Sequence, residues 1–223
     1  LVGAPSGPNA ADAGGPYTVY EGRPVTLVAT NSYDPNGDVL FYAWDFDGDG
    51  ATDSTNAVAA HTWMLPGSNT VWLTVTDTAL SNSVSTSFMV LAVNHAPSFA
   101  KGADQQVDED SGPHTVVGWA TGINSGPAHE SWQTFAFFCT NSAPALFSVA
   151  PSVATNGTLT FTSAPNANGV ATVSLYLQDN GGTAYGGQNS SPTQTFQIVV
   201  NAVNDAPVLV PTNPVMTSIT EDA

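Results

Sequence analysis

Val71-Trp-Leu-Thr-Val-Thr76 alternates apolar and outward-facing residues without a break. Side chains of an extended chain leave alternate faces, so Val71, Leu73 and Val75 share one face and Trp72 takes the other. This is the pattern of a half-buried strand, and it predicts a strand over Thr70–Thr76. Similar strand signals surround it at Tyr17–Tyr20, Val25–Thr30, Leu40–Phe46 and Val84–Val93, with an irregular stretch between Phe46 and Thr70. Further along, Leu159–Thr162, Val170–Leu177 and Thr195–Val200 continue the pattern. Val173, Leu175 and Leu177 share a face, as do Phe196, Ile198 and Val200. Turn chemistry separates the runs: Asp34-Pro-Asn-Gly37 suits a type I turn and Asn156-Gly157 a hairpin. Trp44, inside Phe41-Tyr-Ala-Trp-Asp-Phe46, is placed for core packing.

Composition agrees with an all-β chain. Lys, Arg, Glu and Gln supply only 13 of the 223 residues, so helix-surface residues are nearly absent. Hydrophobic residues make up 42%, enough for packed cores. The length fits two sandwiches of about 100 residues each. Eighteen acidic and two basic side chains, Arg23 and Lys101, leave a net charge of −16. Nucleic acid and anionic lipid are thereby excluded as electrostatic partners. No window approaches 18 apolar residues, so no membrane insertion is expected. A single cysteine, Cys139, allows no intrachain disulfide and sits in an apolar run where a buried small hydrophobe is expected.

The chain repeats itself. Val93-Asn-His-Ala-Pro97 recurs as Val203-Asn-Asp-Ala-Pro207, and Val107-Asp-Glu-Asp110 recurs as Ile219-Thr-Glu-Asp222, at nearly the same offset. Ala-Pro after each landmark favours an extended, stiffened joint. The expected organisation is a linker at 1–11, a sandwich at 12–94, a second at 95–205 and the start of a third repeat at 206–223. The final Ile219-Thr-Glu-Asp-Ala223 stops within a strand-like pattern, as a piece of a longer polypeptide would.

Residues 12–94 resemble a PKD (polycystic kidney disease) domain, an immunoglobulin-like β-sandwich. The likeness rests on Ala13-Gly-Gly-Pro-Tyr-Thr-Val19 with Glu21-Gly22, Asn31-Ser-Tyr-Asp-Pro-Asn-Gly-Asp38 and Tyr42-Ala-Trp-Asp-Phe-Asp-Gly-Asp-Gly50. His61-Thr-Trp63 and Val71-Trp-Leu-Thr-Val-Thr-Asp77 complete it in the family's order. Trp63 replaces the usual tyrosine. Residues 95–205 resemble the cadherin-like, immunoglobulin-like tandem repeats of large bacterial surface and secreted proteins, through Asn204-Asp-Ala-Pro207, Val107-Asp-Glu-Asp110 and Gln178-Asp-Asn-Gly-Gly182. The resemblance implies tandem immunoglobulin-like β-sandwiches in an extracellular or cell-surface protein. Such modules space, bind or present, and catalysis lies elsewhere.

Candidate sites follow from the acidic turns. Asp45, Asp47, Asp49 and Asp53, with Gly50 between, match the first part of a calcium loop, where alternate carboxylates converge on a hard cation. Asn56 stands where the bidentate glutamate of a full loop would be, and a solvated acidic turn in which Asp45 or Asp49 bonds backbone amides is the competing reading. A second group is Asn31, Asp34, Asp38 and Asp77; calcium near the matching positions is implied by likeness to PKD modules of secreted collagenases, and Asx-turn bonding is the competing reading. Glu109, Asp179, Asn204, Asp205 and Glu221 are placed to frame ions that stiffen neighbouring domains, as the cadherin likeness implies. Ca2+ is thus the expected cofactor. The four histidines, His61, His95, His114 and His129, show no metal-ligand spacing with one another, and no nucleophile elbow or phosphate loop appears, so no enzyme activity is expected.

Trp63, Trp72, Trp119 and Trp132 raise a different function class. Trp72, opposite the apolar face of its strand, is a candidate platform for a sugar ring, as in an accessory carbohydrate-binding module of a secreted hydrolase. The expected partners are neighbouring domains of the same polypeptide, a cell-surface protein or polysaccharide, or further copies of the chain in a filament or layer. Asn156-Gly-Thr158 and Asn189-Ser-Ser191 are formal glycosylation sequons. Arg23 precedes Pro24, which leaves Lys101 as the practical tryptic site.

Overall fold

The computed structural model describes residues 10–77 and 79–207. They form two compact units. Among the described residues, the first comprises those from 10 to 96 together with Gly126–Glu130 and Asn180–Asn189. The second comprises Pro97–Ser125, Ser131–Asp179 and residues 190–207.

In the first unit the strands are β1 (Tyr17–Tyr20), β2 (Pro24–Val28), β3 (Phe41–Asp45), β4 (Val58–Thr62), β5 (Gly67–Thr76) and β6 (Ser81–Leu91). One sheet runs in the order β1-β6-β5-β3 and the other pairs β2 with β4. Every pair is antiparallel except β1 with β6. Val71, Leu73 and Val75 are completely buried in β5 whereas Trp72 stays 44% exposed, as the alternation requires. They pack with Leu27, Trp44 and Ala59 into one core. The indole N–H of Trp44 donates to the Asn56 carbonyl at 2.9 Å, so even its one polar atom is satisfied.

The second unit has β7 (Ser98–Ala100), β8 (Gln105–Asp108), β9 (Pro113–Val116), β10 (Thr121–Asn124), β11 (Phe135–Asn141), β12 (Phe147–Val153), β13 (Leu159–Ser163), β14 (Gly169–Asp179) and β15 (Gln194–Asn201). Its sheets run β11-β14-β15-β8 and β12-β13-β9, with β10 paired to β7. The pair β15–β8 is parallel. Val173, Leu175 and Leu177 of β14 and Phe196, Ile198 and Val200 of β15 fill the core with Leu159, Phe161 and Trp119. Gly157 forms the β12–β13 turn with φ +81°, and a Cβ there would collide with the Ala120 carbonyl, so glycine is required twice over.

Three differences from the sequence reading come from pairing that apolar alternation does not show. The stretch expected to be irregular contains β4, which pairs with β2 over five residues. Strand β6 begins earlier than expected because Ser81-Asn-Ser83 carries no apolar alternation yet pairs fully with the end of β5. It ends at Leu91 rather than Val93 because the Val93 N–H leaves the ladder and donates to the Glu21 carboxylate at 2.7 Å.

Candidate metal centres

The loop after β3 gathers three of its four carboxylates. Ligand oxygens of Asp45, Asp47 and Asp49 lie within 4.8 Å of one another. Asx turns shape it: Asp45 Oδ1 accepts from the Gly48 N–H at 2.6 Å and Oδ2 from Gly50 at 2.9 Å. Asp47 accepts from Asp49 at 3.2 Å, and Asp49 from Ala51 at 2.7 Å. Partial desolvation acts to raise the Asp45 pKa, but the amides of Gly50, Gly48, Asp47 and Asp49 outweigh it and hold the carboxyl below its ordinary value. The positive φ of Gly48 and Gly50 lets these amides turn inward. Asp53 does not join the group. Its Oδ2 accepts from the Phe46 N–H at 2.6 Å and closes the base of the loop.

Asp34, Asp38 and Asp77 also converge within 4.8 Å. Asp34 Oδ1 accepts from Asn36 at 2.7 Å and Asp38 at 3.0 Å, inside the turn closed by Gly37 N–H to the Asp34 carbonyl. Asp77 Oδ1 caps the β5–β6 connection through Ala79 at 2.8 Å and Leu80 at 2.7 Å. Asn31 is exposed in the neighbouring turn. The local turn bonding and the convergence of carboxylates coexist, because the turn amides meet Asp34 at Oδ1 alone and a carboxylate has a second oxygen.

In the second unit Glu109 and Asp179 are buried and Asn204 and Asp205 exposed. Glu109 Oε1 accepts from the Val203 N–H at 2.8 Å, and its Oε2 is buried without a hydrogen-bond partner. Glu109, Asp179 and Asp205 do not form a close group of three among the described residues. Glu221 lies outside the described residues.

The sequence reading missed one cluster. Glu21, His95, His129 and Glu130, all of the first unit, bring one ligand atom each within 4.8 Å of one another. His95 Nδ1 lies 2.9 Å from Glu130 Oε1 and 3.7 Å from Glu21 Oε1. His129 Nε2 lies 3.5 Å and 3.7 Å from the same two oxygens. Both glutamate side chains are only 4% exposed. Backbone amides aim them: Val93 N–H donates to Glu21 Oε1 at 2.7 Å, and His95 N–H to Glu130 Oε1 at 3.0 Å. Gly126 leaves room, since a Cβ there would occupy the space of the Glu130 carboxylate. The expectation that the histidines share no ligand arrangement is therefore corrected for His95 and His129, whose ring centroids are 6.0 Å apart. The other two pack elsewhere, His61 against Phe46 and Trp63 and His114 against Phe161 with its Nε2 2.8 Å from Ser111 Oγ.

One signal was available in the sequence. Both units place a glutamate directly after the strand that pairs parallel with the unit's last strand. The N–H of Glu21 donates to the Leu91 carbonyl at 3.0 Å and that of Glu109 to Asn201 at 2.9 Å. Each carboxylate then binds the amide two residues beyond that carbonyl, Val93 or Val203. Two residues further still, the first unit has His95 and the second Asp205.

Trp119 is buried, its indole bonded to the Ala103 carbonyl at 2.8 Å, and Trp63 packs on Phe88 at 4.1 Å. Trp72 and Trp132 are exposed. Burial pushes the half-buried Cys139 thiol upward, against a smaller lowering by the Val153 amide.

Residues 6–92 match the family model described as PKD domain. No match to a curated protein is found. Among solved structures, a second crystal form of human protocadherin-24 EC1-2 is similar with a TM-score of 0.57 and 14% identity, covering 87% of this chain and 99% of that one. A first form gives 0.50 and 13%, over 88% and 98%. Drosophila N-cadherin EC1-4 gives 0.52 and 15%, over 88% of this chain and 50% of that one. At these identities the likeness is one of fold: tandem immunoglobulin-like sandwiches.

Proposed function

We propose that this PKD and cadherin-like tandem is a non-catalytic extracellular module of a larger surface or secreted protein, extending or anchoring it and stiffened by calcium. The observation that carries the reading is the Asp45–Asp47–Asp49 loop, whose three carboxylates converge at the end of a core strand of a PKD sandwich. Repulsion among them is relieved by a hard divalent cation, and calcium takes oxygen ligands in flexible geometry. Asp34, Asp38 and Asp77 form a second candidate set, and Glu109, Asp179, Asn204 and Asp205 a third in the other unit. Extracellular modules hold calcium with dissociation constants of about 10⁻⁴–10⁻³ M, so binding would track the ion's level outside cells. The partners of such a module are neighbouring domains, a surface protein or polysaccharide, or further copies of itself.

The test is thermal unfolding of the metal-stripped chain with and without millimolar calcium, beside an Asp47→Ala/Asp49→Ala variant. Calcium should raise the melting point of the parent and leave that of the variant unchanged. Equal melting of the parent in both buffers would reduce the acidic turns to solvated Asx turns.

A second reading, carbohydrate binding, is favoured by one observation: Trp72 presents its indole outward from β5, with Asp45 as its cross-strand neighbour. An aromatic face beside a hydrogen-bond acceptor is a minimal sugar platform. Retention on insoluble chitin or cellulose, lost on Trp72→Ala, is the outcome this reading requires.

A further inference from the structure

We propose that Glu21, His95, His129 and Glu130 form a binding site for a borderline divalent transition cation of the zinc type, distinct in residues and in chemistry from the calcium sites above. Donor identity is the first argument. Two imidazole nitrogens and two carboxylate oxygens form the mixed N/O set that zinc and its neighbours favour, whereas calcium requires six to eight oxygens. Geometry is the second. Metal–ligand bonds of about 2.0–2.2 Å place tetrahedral donors roughly 3.3–3.6 Å apart. Three of the four carboxylate–imidazole separations are 3.5, 3.7 and 3.7 Å. The fourth, 2.9 Å between His95 Nδ1 and Glu130 Oε1, is a hydrogen bond whose proton the cation would replace.

Burial is the third argument, and it points to a ligand independently. Glu21 is 4% exposed at its side chain, its Oε1 faces both imidazoles, and its Oε2 is buried with no hydrogen-bond partner. His129 Nε2 is likewise buried without a hydrogen bond. A buried carboxylate needs a compensating charge, and this chain has only two Lys or Arg side chains in all. Of these, Arg23 donates to the Tyr185 carbonyl. Two ionised glutamates, two neutral imidazoles and one divalent cation sum to zero, which removes the cost of burying charge. The amides of Val93 and His95 hold the carboxylates in place, as outer hydrogen bonds do in metal sites. His95 is about half exposed beside a cavity of about 280 Å³ lined by Glu21, Met64, Asn94 and His95, which gives the ion a path from solvent.

The experiment uses the whole chain, stripped of metal, titrated with cobalt(II) and then zinc. One equivalent of cobalt should produce the visible ligand-field bands of a tetrahedral N/O site, and zinc should abolish them. His129→Ala and Glu21→Gln should weaken zinc binding by about tenfold or more and erase the bands, while His114→Ala and Asp47→Ala/Asp49→Ala should leave both intact. If a buried substitution unfolds the protein, His95→Ala at the half-exposed ligand carries the same expectation. Absence of the bands, binding retained in the His95→Ala/His129→Ala double variant, or displacement of cobalt by millimolar calcium would each overturn the proposal. The Asp47/Asp49 control also separates this outcome from that of the calcium reading, since the two sets share no residue.

Discussion

Asp45 shows how one carboxylate organises a turn and what that does to its titration. Four backbone amides, from Gly50, Gly48, Asp47 and Asp49, favour its ionised form and together outweigh the desolvation that opposes it. Its folded-state pKa therefore lies below the ordinary 3.8. A depressed carboxyl stabilises the fold above its unfolded pKa, and that contribution disappears as pH falls through the folded value. Asp45→Asn keeps a side-chain acceptor but cannot ionise. The difference in melting point between parent and variant should be largest near neutrality and shrink below the ordinary carboxylate range. Parallel pH profiles of the two proteins between pH 7 and pH 3 would show that the amides do not favour the charged form. The Asp45–Asp47–Asp49 group was legible because its members lie close in sequence, where alternation and Gly50 reveal a turn of converging side chains. Asp53 was misplaced because spacing cannot show that its carboxylate turns back to the Phe46 amide.

At the scale of the element, the alternation read in Val71–Thr76 is matched by the burial of β5, because burial on one face imposes period two, although the strand begins at Gly67 rather than Thr70. Adjacent residues should differ sharply in consequence. Leu73 is fully buried, whereas Thr74 exchanges a 2.8 Å hydroxyl contact with Ser83 on the outer face. Leu73→Ala should destabilise the protein by about 2–5 kcal/mol, the range for a buried leucine leaving a cavity. Thr74→Ala should cost about 0.2–1 kcal/mol, the worth of a cross-strand pair. Denaturant midpoints of the two variants decide it, and similar shifts would contradict the assigned register. Strands lacking that one-sided burial were harder to see. β4 is held by ladder pairing to the distant β2 and the polar start of β6 by pairing across the hairpin from β5, and neither pairing is written as apolar alternation. Of the Glu21–His95–His129–Glu130 cluster, the likeness of the two units signals only Glu21 and His95, and His129 and Glu130 carry no local signature. The cluster's ligands are spread over 110 positions, and only the fold brings them to one point.

For the molecule as a whole, the two units repeat one device: a short strand pairs parallel with the last strand, and a glutamate immediately after it clasps the chain as it leaves. The internal repeat in the sequence marked the exits, Val93-Asn-His and Val203-Asn-Asp, and one of the glutamates that hold them, Glu109 in Val107-Asp-Glu-Asp110, but not its counterpart Glu21. The same whole-chain view bears on survival among proteases. With a net charge of −16 and two basic residues, trypsin-like enzymes find almost nothing to bind. The Arg23–Pro24 bond is blocked by proline at the start of β2. Lys101 is exposed just after β7, but its own N–H reaches the Gln194 side chain at 3.4 Å, and the Gln194 amide in turn donates to the Phe99 carbonyl at 2.9 Å. Proteases require an extended, locally opened segment of several residues, so this tethering should slow cleavage. Trypsin should therefore leave the native chain largely intact and, after unfolding in urea, produce a single cut after Lys101 into two fragments. Gln194→Ala should speed the native cut at Lys101 while leaving the cut in urea unchanged. Rapid digestion of the native parent, or a native cleavage rate unaffected by Gln194→Ala, would show that the tether at the start of β15 does not protect the site.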